Sequence, residues 1–409
     1  MRLIHYASLL ALFPGIALAD PLTFDAALSR AQHDAPSIRA RTLGVEVARS
    51  ARGAAGALPD PTLAVGFDSF PISGPLAFAP AQDNFAMARV GVSQDIPNLA
   101  KRHARQARAD SNIAVAVADT AVEERNVAVS TALAWINLAY GGRRLAALDE
   151  VLARLERVVG TTSGAVASGN ARPAQTLAGQ QAVAAMQDRR TVLVAELARA
   201  RAALIRWTGD PAPEIAGSMP QFAIEPDQLR AGLDRHPSIR MFDAQEGQAD
   251  ADLQVADAGR RSDFGVNLTY QRRDPRFGDY VSAGVTIGLP MFTRHRQTAE
   301  IGAATANAGR VVAEREAVRR ALADDLDADL ADHVMHHEQW LRTRDTLQPL
   351  AEQRVSLETA SYGAGRASLI DIADAYAALT DATLTTLDRE AQFAADGARL
   401  TLTYRSDDQ

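Results

Sequence analysis

Phe264-Gly265-Val266-Asn267-Leu268-Thr269-Tyr270-Gln271 sets a large apolar side chain at every second position, with Gly, Asn, Thr and Gln between them. A period of two is the mark of a strand with one apolar and one polar face. Shortly after, Tyr280 to Leu289 repeats the pattern, with Val281, Ala283, Val285, Ile287 and Leu289 on the apolar side. The first half of the chain carries the same pair. Leu63, Val65 and Phe67 alternate with Thr62, Ala64, Gly66 and Asp68, and later Val90, Val92 and Ile96 alternate with Arg89, Gly91, Ser93 and Asp95. The spacing predicts four strands, over residues 62–68, 85–96, 263–271 and 280–289. Strands of roughly ten alternating residues have the length of transmembrane barrel staves. The competing reading is a soluble hairpin with one face on a helix; two matching hairpins in one chain favour the membrane.

Four strands cannot close a barrel. In hydrocarbon each unpaired backbone group costs several kcal/mol, so open edges are not tolerated and several chains must pool their strands. Three chains would supply twelve, an even number within the range of known barrels.

Outside the hairpins the period lengthens. Residues 98–168 contain no proline, and Leu145, Leu148, Leu152, Leu155 and Val159 step by threes and fours, the seam of a coiled coil. A helix of that length would span about 105 Å. A second helix is predicted from Pro173 to about Trp207. Residues 22–57 read as helix broken near Pro36, and Ile239, Phe242, Ala249 and Leu253 mark its counterpart in the second half. There a long helix over 294–361, bent at Pro349, precedes a last one marked by Leu369, Ile372, Tyr376, Leu379, Thr383 and Leu387.

The plan is therefore written twice. Ala35-Pro36-Ser37-Ile38-Arg39 returns as His236-Pro237-Ser238-Ile239-Arg240, and Gly91-Val92-Ser93-Gln94-Asp95-Ile96-Pro97 as Gly284-Val285-Thr286-Ile287-Gly288-Leu289-Pro290. Ser168-Gly169 before Gln175 matches Ala364-Gly365 before Asp371. Matches in one order at nearly one offset indicate a duplication, with repeats over 20–215 and 216–409 and a Pro- and Gly-rich boundary from Thr208 to Pro220.

Composition agrees. Alanine fills 82 of 409 positions, which suits closely packed helices. No cysteine is present, which excludes disulfides, thiolate metal sites and a lipid-bearing N-terminal Cys. A net charge of −7 argues against a nucleic-acid binder. Arg2, the apolar run to Leu18 and Ala17-Leu18-Ala19 predict a secretory signal peptide over residues 1–19.

Taken together, these residues resemble the TolC family of outer-membrane efflux proteins. The likeness rests on the duplicated plan, on Ala57-Leu58-Pro59-Asp60-Pro61 entering the first strand, on Gln94-Asp95-Ile96-Pro97 leaving the second, and on Tyr362-Gly363-Ala364-Gly365-Arg366 before Asp371. Phe70-Pro71-Ile72-Ser73-Gly74-Pro75 and Lys101-Arg102 look most like channels of heavy-metal resistance systems. The resemblance implies a mainly α fold with transmembrane β: a duplicated long-helix coiled-coil barrel, and four strands per chain in a shared trimeric outer-membrane barrel. It implies a homotrimer in outer-membrane lipid, reaching into the periplasm. Its partners would be a periplasmic adaptor (a membrane fusion protein) and an inner-membrane pump of the resistance–nodulation–division (RND) type. It implies passive export, no enzyme activity and no cofactor.

Asp371 and Asp374 lie three apart, on one face near the start of the last helix. In the family such carboxylates line the periplasmic entrance, where three chains would make a ring that attracts cations. Tyr362 and Arg366 precede them, where the family holds the entrance shut. The competing reading is that acidic residues favour any helix N-terminus. His333, His336 and His337 share a helix with Asp329, Asp332 and Met335, and His333 and His337 have the i, i+4 spacing that can share a metal ion. A solvated helix face is the alternative. His337-Glu338 is followed by Leu341, so the H-E-x-x-H motif fails, and no phosphate loop or nucleophile motif occurs. Two other functions fit less well: an exit duct for proteins or peptides, and a soluble periplasmic coiled-coil adaptor, against which the two hairpins speak.

Overall fold

The computed structural model describes residues 21–167 and 173–405. The expected signal peptide and the Ser168-Gly169 match lie outside these residues, as does the side chain of Gln175. The first half runs α1 (Phe24–Asp34), α2 (Pro36–Ala54), β1 (Thr62–Asp68), β2 (Met87–Ile96), α3 (Leu99–Ala167) and α4 (Pro173–Thr208). The second runs α5 (Pro226–Gly232), α6 (Pro237–Ala258), β3 (Phe264–Arg272), β4 (Tyr280–Ile287), α7 (Gln297–Arg342), α8 (Gln348–Gly363) and α9 (Leu369–Tyr404). The fold is mainly α with one four-stranded antiparallel sheet, in the duplicated order that the two periods predict.

The helix breaks have local causes. Ala35 is extended, which its position before Pro36 demands, and α2 starts on that proline. The expected bend at Pro349 takes a specific form: Thr343–Leu347 is a π-helical stretch just before it. The wider turn sits where a proline ring and its missing N–H disrupt regular α spacing.

The chain gathers into two compact units, each drawn from both halves. The first holds the described residues up to Ala35, with Val127–Ile224 and Asp329–Leu402. Trp135 is its fully buried centre; its indole N–H donates to the Leu22 carbonyl at 2.9 Å, and Phe24 meets its ring edge-on at 5.5 Å. A second cluster in this unit joins the two predicted seams, with Leu152 and Leu155 of α3 against Ile372, Tyr376 and Leu379 of α9. Gly179 of α4 makes that approach possible, since a Cβ there would lie 2.7 Å from the Leu369 side chain.

The second unit holds Pro36–Asn126, Glu225–Ala328 and the residues from Thr403 on. It contains the sheet, in strand order β1-β2-β3-β4, so the hairpins of the two halves join through β2 and β3. Within this unit the apolar side chains of the strands lie open, Val65, Val281 and Val285 among them.

Candidate functional site

Register turns four separate alternations into two continuous surfaces. Leu63, Val92, Leu268 and Ala283 form one cross-strand row, and Val65, Val90, Tyr270 and Val281 the next. Val266 pairs with Val285, and Phe264 joins Ile96 to Ile287. Val65, Val281 and Val285 are each about 70% exposed within the chain, so this apolar face has no cover. The other face is polar: Thr62, Ser93, Asn267 and Gly284 form one row and Ala64, Gly91, Thr269 and Ser282 another. Thr269 and Asn267 lean over Gly91 and Gly284, where a Cβ would meet their oxygens at 2.7 and 2.6 Å. Small residues between polar ones therefore leave room for polar side chains to lie flat. Among the described residues, the outer edges of β1 and β4 have no strand beside them. Gln94 interrupts the apolar face near the sheet's end, where its amide donates to the carbonyls of Pro59 and Asp95.

A lock where the strands give way to helices was not visible in the sequence. Asn98, nearly buried, accepts from the Lys101 N–H at 2.8 Å and so caps α3. Its amide donates to the carbonyls of Ala258 and Arg261 and to the Asp263 carboxylate. Lys101, the only lysine, reaches Asp263 at 2.9 Å. Burial pushes the Asp263 pKa up, but the Asn98 N–H and Lys101 outweigh it and hold the group below its ordinary value. Its sequence signal is faint: an Asn directly before a long helix, in N-cap position.

The predicted entrance residues lie in the first unit, around the turn from α8 to α9. Gly365 has φ +70°, and the Arg366 N–H returns to the Ser361 carbonyl at 2.8 Å, the left-handed stop that favours glycine. Tyr362 packs against the cluster of Leu155 and Ile372, and Arg366 is exposed. Asp371 and Asp374 are both exposed, on the side of α9 away from buried Ile372, Ala375 and Tyr376. Asp371 also closes a capping box: its carboxylate accepts from the Ser368 hydroxyl and N–H, both at 2.7 Å. These bonds hold its pKa below the ordinary carboxylate value. The helix-start reading thus describes Asp371 within one chain, and Asp374 has no such role.

The three histidines diverge. His333 and His337 stack on Phe393 of α9, with ring centroids 4.6 and 4.7 Å apart from it. His336 turns to buried Asp396, with Nδ1 2.6 Å from the carboxylate. Burial lowers the His333 pKa and raises that of Asp396. Among the described residues no group of three or more His, Cys, Asp or Glu converges as metal ligands do. No described helix is long and apolar enough to cross a membrane.

The sheet with two unlike, uncovered faces, carried on paired long helices, is the fold of the outer-membrane efflux channels. Residues 229–403 match the family model for outer membrane efflux protein. The chain is similar to a membrane protein from Pseudomonas aeruginosa, with TM-score 0.79 and 17% identity over 93% of this chain and 90% of that one. It is similar to the Campylobacter jejuni CmeC outer membrane channel, with TM-score 0.79 and 12% identity over 94% and 85%. The Neisseria gonorrhoeae MtrE outer membrane channel gives TM-score 0.76 and 17% identity over 94% and 89%. No curated protein matches the chain by sequence.

Proposed function

We propose that this chain is the outer-membrane channel of a tripartite efflux pump. The observation that carries the reading is the sheet: its apolar face runs unbroken across the central rows of all four strands, it is uncovered, and both edges are open. In water such a sheet is an aggregation hazard; in a bilayer it is a third of a barrel wall. Three copies pool twelve strands, with the apolar rows on lipid and the Asn267 and Thr269 rows on the lumen. The match to the efflux family over 229–403 and the likeness to solved channels support the same conclusion.

The helices extend the duct into the periplasm, where an adaptor joins it to an inner-membrane pump of the RND type. Export through it is passive, and the duct performs no catalysis. Asp371 and Asp374 ring the periplasmic entrance, and Tyr362 and Arg366 help hold it closed. Leu58-Pro59-Asp60-Pro61 and the Phe70–Pro75 loop favour heavy-metal cations as the exported class.

The test is assembly and conductance. Detergent-extracted protein should scatter light as a stable trimer and open discrete channels in planar bilayers. A folded, monodisperse monomer would defeat the shared barrel. For the substrate, deletion of the gene should lower tolerance to heavy-metal salts more than to organic drugs; the reverse order would reject the metal assignment alone.

A further inference from the structure

We propose that the helix-side end of the sheet carries a basic and apolar belt that binds the phosphate headgroups of anionic phospholipids. The proposal rests on the channel reading above. Beyond β4, Leu289, Met291 and Phe292 are 69%, 75% and 82% exposed. Leu289 follows the last paired residue, Ile287, and Met291 and Phe292 lie in the turn before α7. Arg294 and Arg296 follow at once, both exposed. Arg261 is exposed in the connection from α6 to β3. The two connections lie side by side: the Gly288 N–H donates to the Asp263 carbonyl at 2.8 Å, and a Cβ on Gly259 would lie 4.0 Å from the Glu300 carboxylate.

Three neighbouring cations are already paired. Lys101 holds Asp263 at 2.9 Å, Arg108 holds Asp252 at 2.6 Å, and Arg260 reaches Asp257 at 3.7 Å. Among the described residues, Arg261, Arg294 and Arg296 have no carboxylate within ion-pairing distance. An unpaired guanidinium in water is ordinary. Three of them beside exposed Met and Phe side chains, at the end of an apolar sheet face, mark the depth where hydrocarbon gives way to headgroups. The apolar residues select a lipid over a free phosphate ion, because only a lipid brings acyl chains to cover them. Each guanidinium near an anionic surface strengthens attraction about fivefold.

The test uses the assembled full chain in nonionic detergent, titrated separately with dioleoyl phosphatidylglycerol and dioleoyl phosphatidylcholine, with bound lipids counted by native mass spectrometry. The wild type should bind phosphatidylglycerol at least about tenfold more tightly. Combining Arg261→Gln, Arg294→Gln and Arg296→Gln should remove that preference. Combining Arg199→Gln, Arg201→Gln and Arg342→Gln, exposed elsewhere, should keep it. A preference that survives in the first variant, or vanishes equally in the second, overturns the belt. So does complete displacement of phosphatidylglycerol by millimolar inorganic phosphate, which would indicate a free-anion site. Planar-bilayer conductance on the same preparation separates the two readings. A conducting wild type without lipid preference rejects the belt alone, and a wild type that never conducts rejects the channel and the belt with it.

Discussion

Leu268 offers the most direct test of the membrane reading. It lies four residues from each end of β3, which is roughly 13 Å along the strand at 3.3 Å per residue. With barrel strands tilted about 45°, that is about 9 Å of depth, close to the middle of an apolar band about 25 Å tall. Its row neighbours Val92, Ala283 and Leu63 offer a guanidinium no partner. Leu268→Arg should therefore cost near the midplane value of about 2–4 kcal/mol per chain, or about 6–12 kcal/mol for three chains sharing one barrel. Thr286→Arg is the comparison. It stands on the opposite face, in the row of Gly265 and Asp95, where a cation meets water and a carboxylate. The assay is the fraction of trimer after refolding into vesicles, measured by light scattering after extraction, with urea titration as a second readout. Leu268→Arg should abolish most trimer while Thr286→Arg leaves it near the wild-type level. Equal loss from both would mean that the two faces see the same medium, and the barrel would have to be abandoned.

Three further outcomes are expected. Asp371→Asn with Asp374→Asn should keep the trimer, because Asn can still cap α9, and should abolish block of single-channel current by multivalent cations; unchanged block, or equal loss when Asp324 and Asp325 are made Asn, would refute the ring. Asn98→Ala removes a helix cap and leaves the carbonyls of Ala258 and Arg261 without their donor, so urea denaturation should show a loss of about 1–3 kcal/mol, and a loss below about 0.5 would show that the lock is idle. Because burial holds the His333 pKa below its ordinary 6.5, the unfolded chain takes up that proton first as pH falls, and stability should drop as pH falls through about 6.5 toward the lower folded value. His333→Phe should flatten that drop in urea midpoints; a slope equal to wild type would show that His333 does not drive it. Asp396, raised by burial, contributes in the opposite sense, gaining stability as pH falls from its folded value toward the ordinary carboxylate range.

Much of this architecture was legible in the sequence because periodicity is a local property. A period of two in Phe264–Gln271 and steps of three and four in Leu145–Val159 depend only on neighbouring residues, so strands, helices and their buried faces could be read directly. The order of elements along each half was legible for the same reason. Gly365, quoted in the motif before Asp371, occupies the positive φ that a helix stop favours. The site was only partly legible. Asp371 and Asp374 share a helix face as their spacing demands, but the capping box depends on where the chain turns before α9, at Ser368. The histidines share one stretch of α7, yet their fates were decided by Phe393 and Asp396, nearly sixty residues away on another helix.

The sequence by itself determined which segments are strand or helix and which face of each is apolar. It also determined that four strands cannot be self-sufficient in a membrane. Only the tertiary structure decided that β2 of one half pairs with β3 of the other, in the register that sets Val92 beside Leu268 and Ser93 beside Asn267. Those partners are about 175 positions apart, and no local pattern distinguishes that register from one slipped by two residues, which would keep every apolar side chain on its face. Tertiary structure likewise gathered each compact unit from both halves of the duplication. The physical reason is common to both: a hydrogen bond or a packed pair belongs to two distant segments at once, and neither segment alone encodes where the other will be.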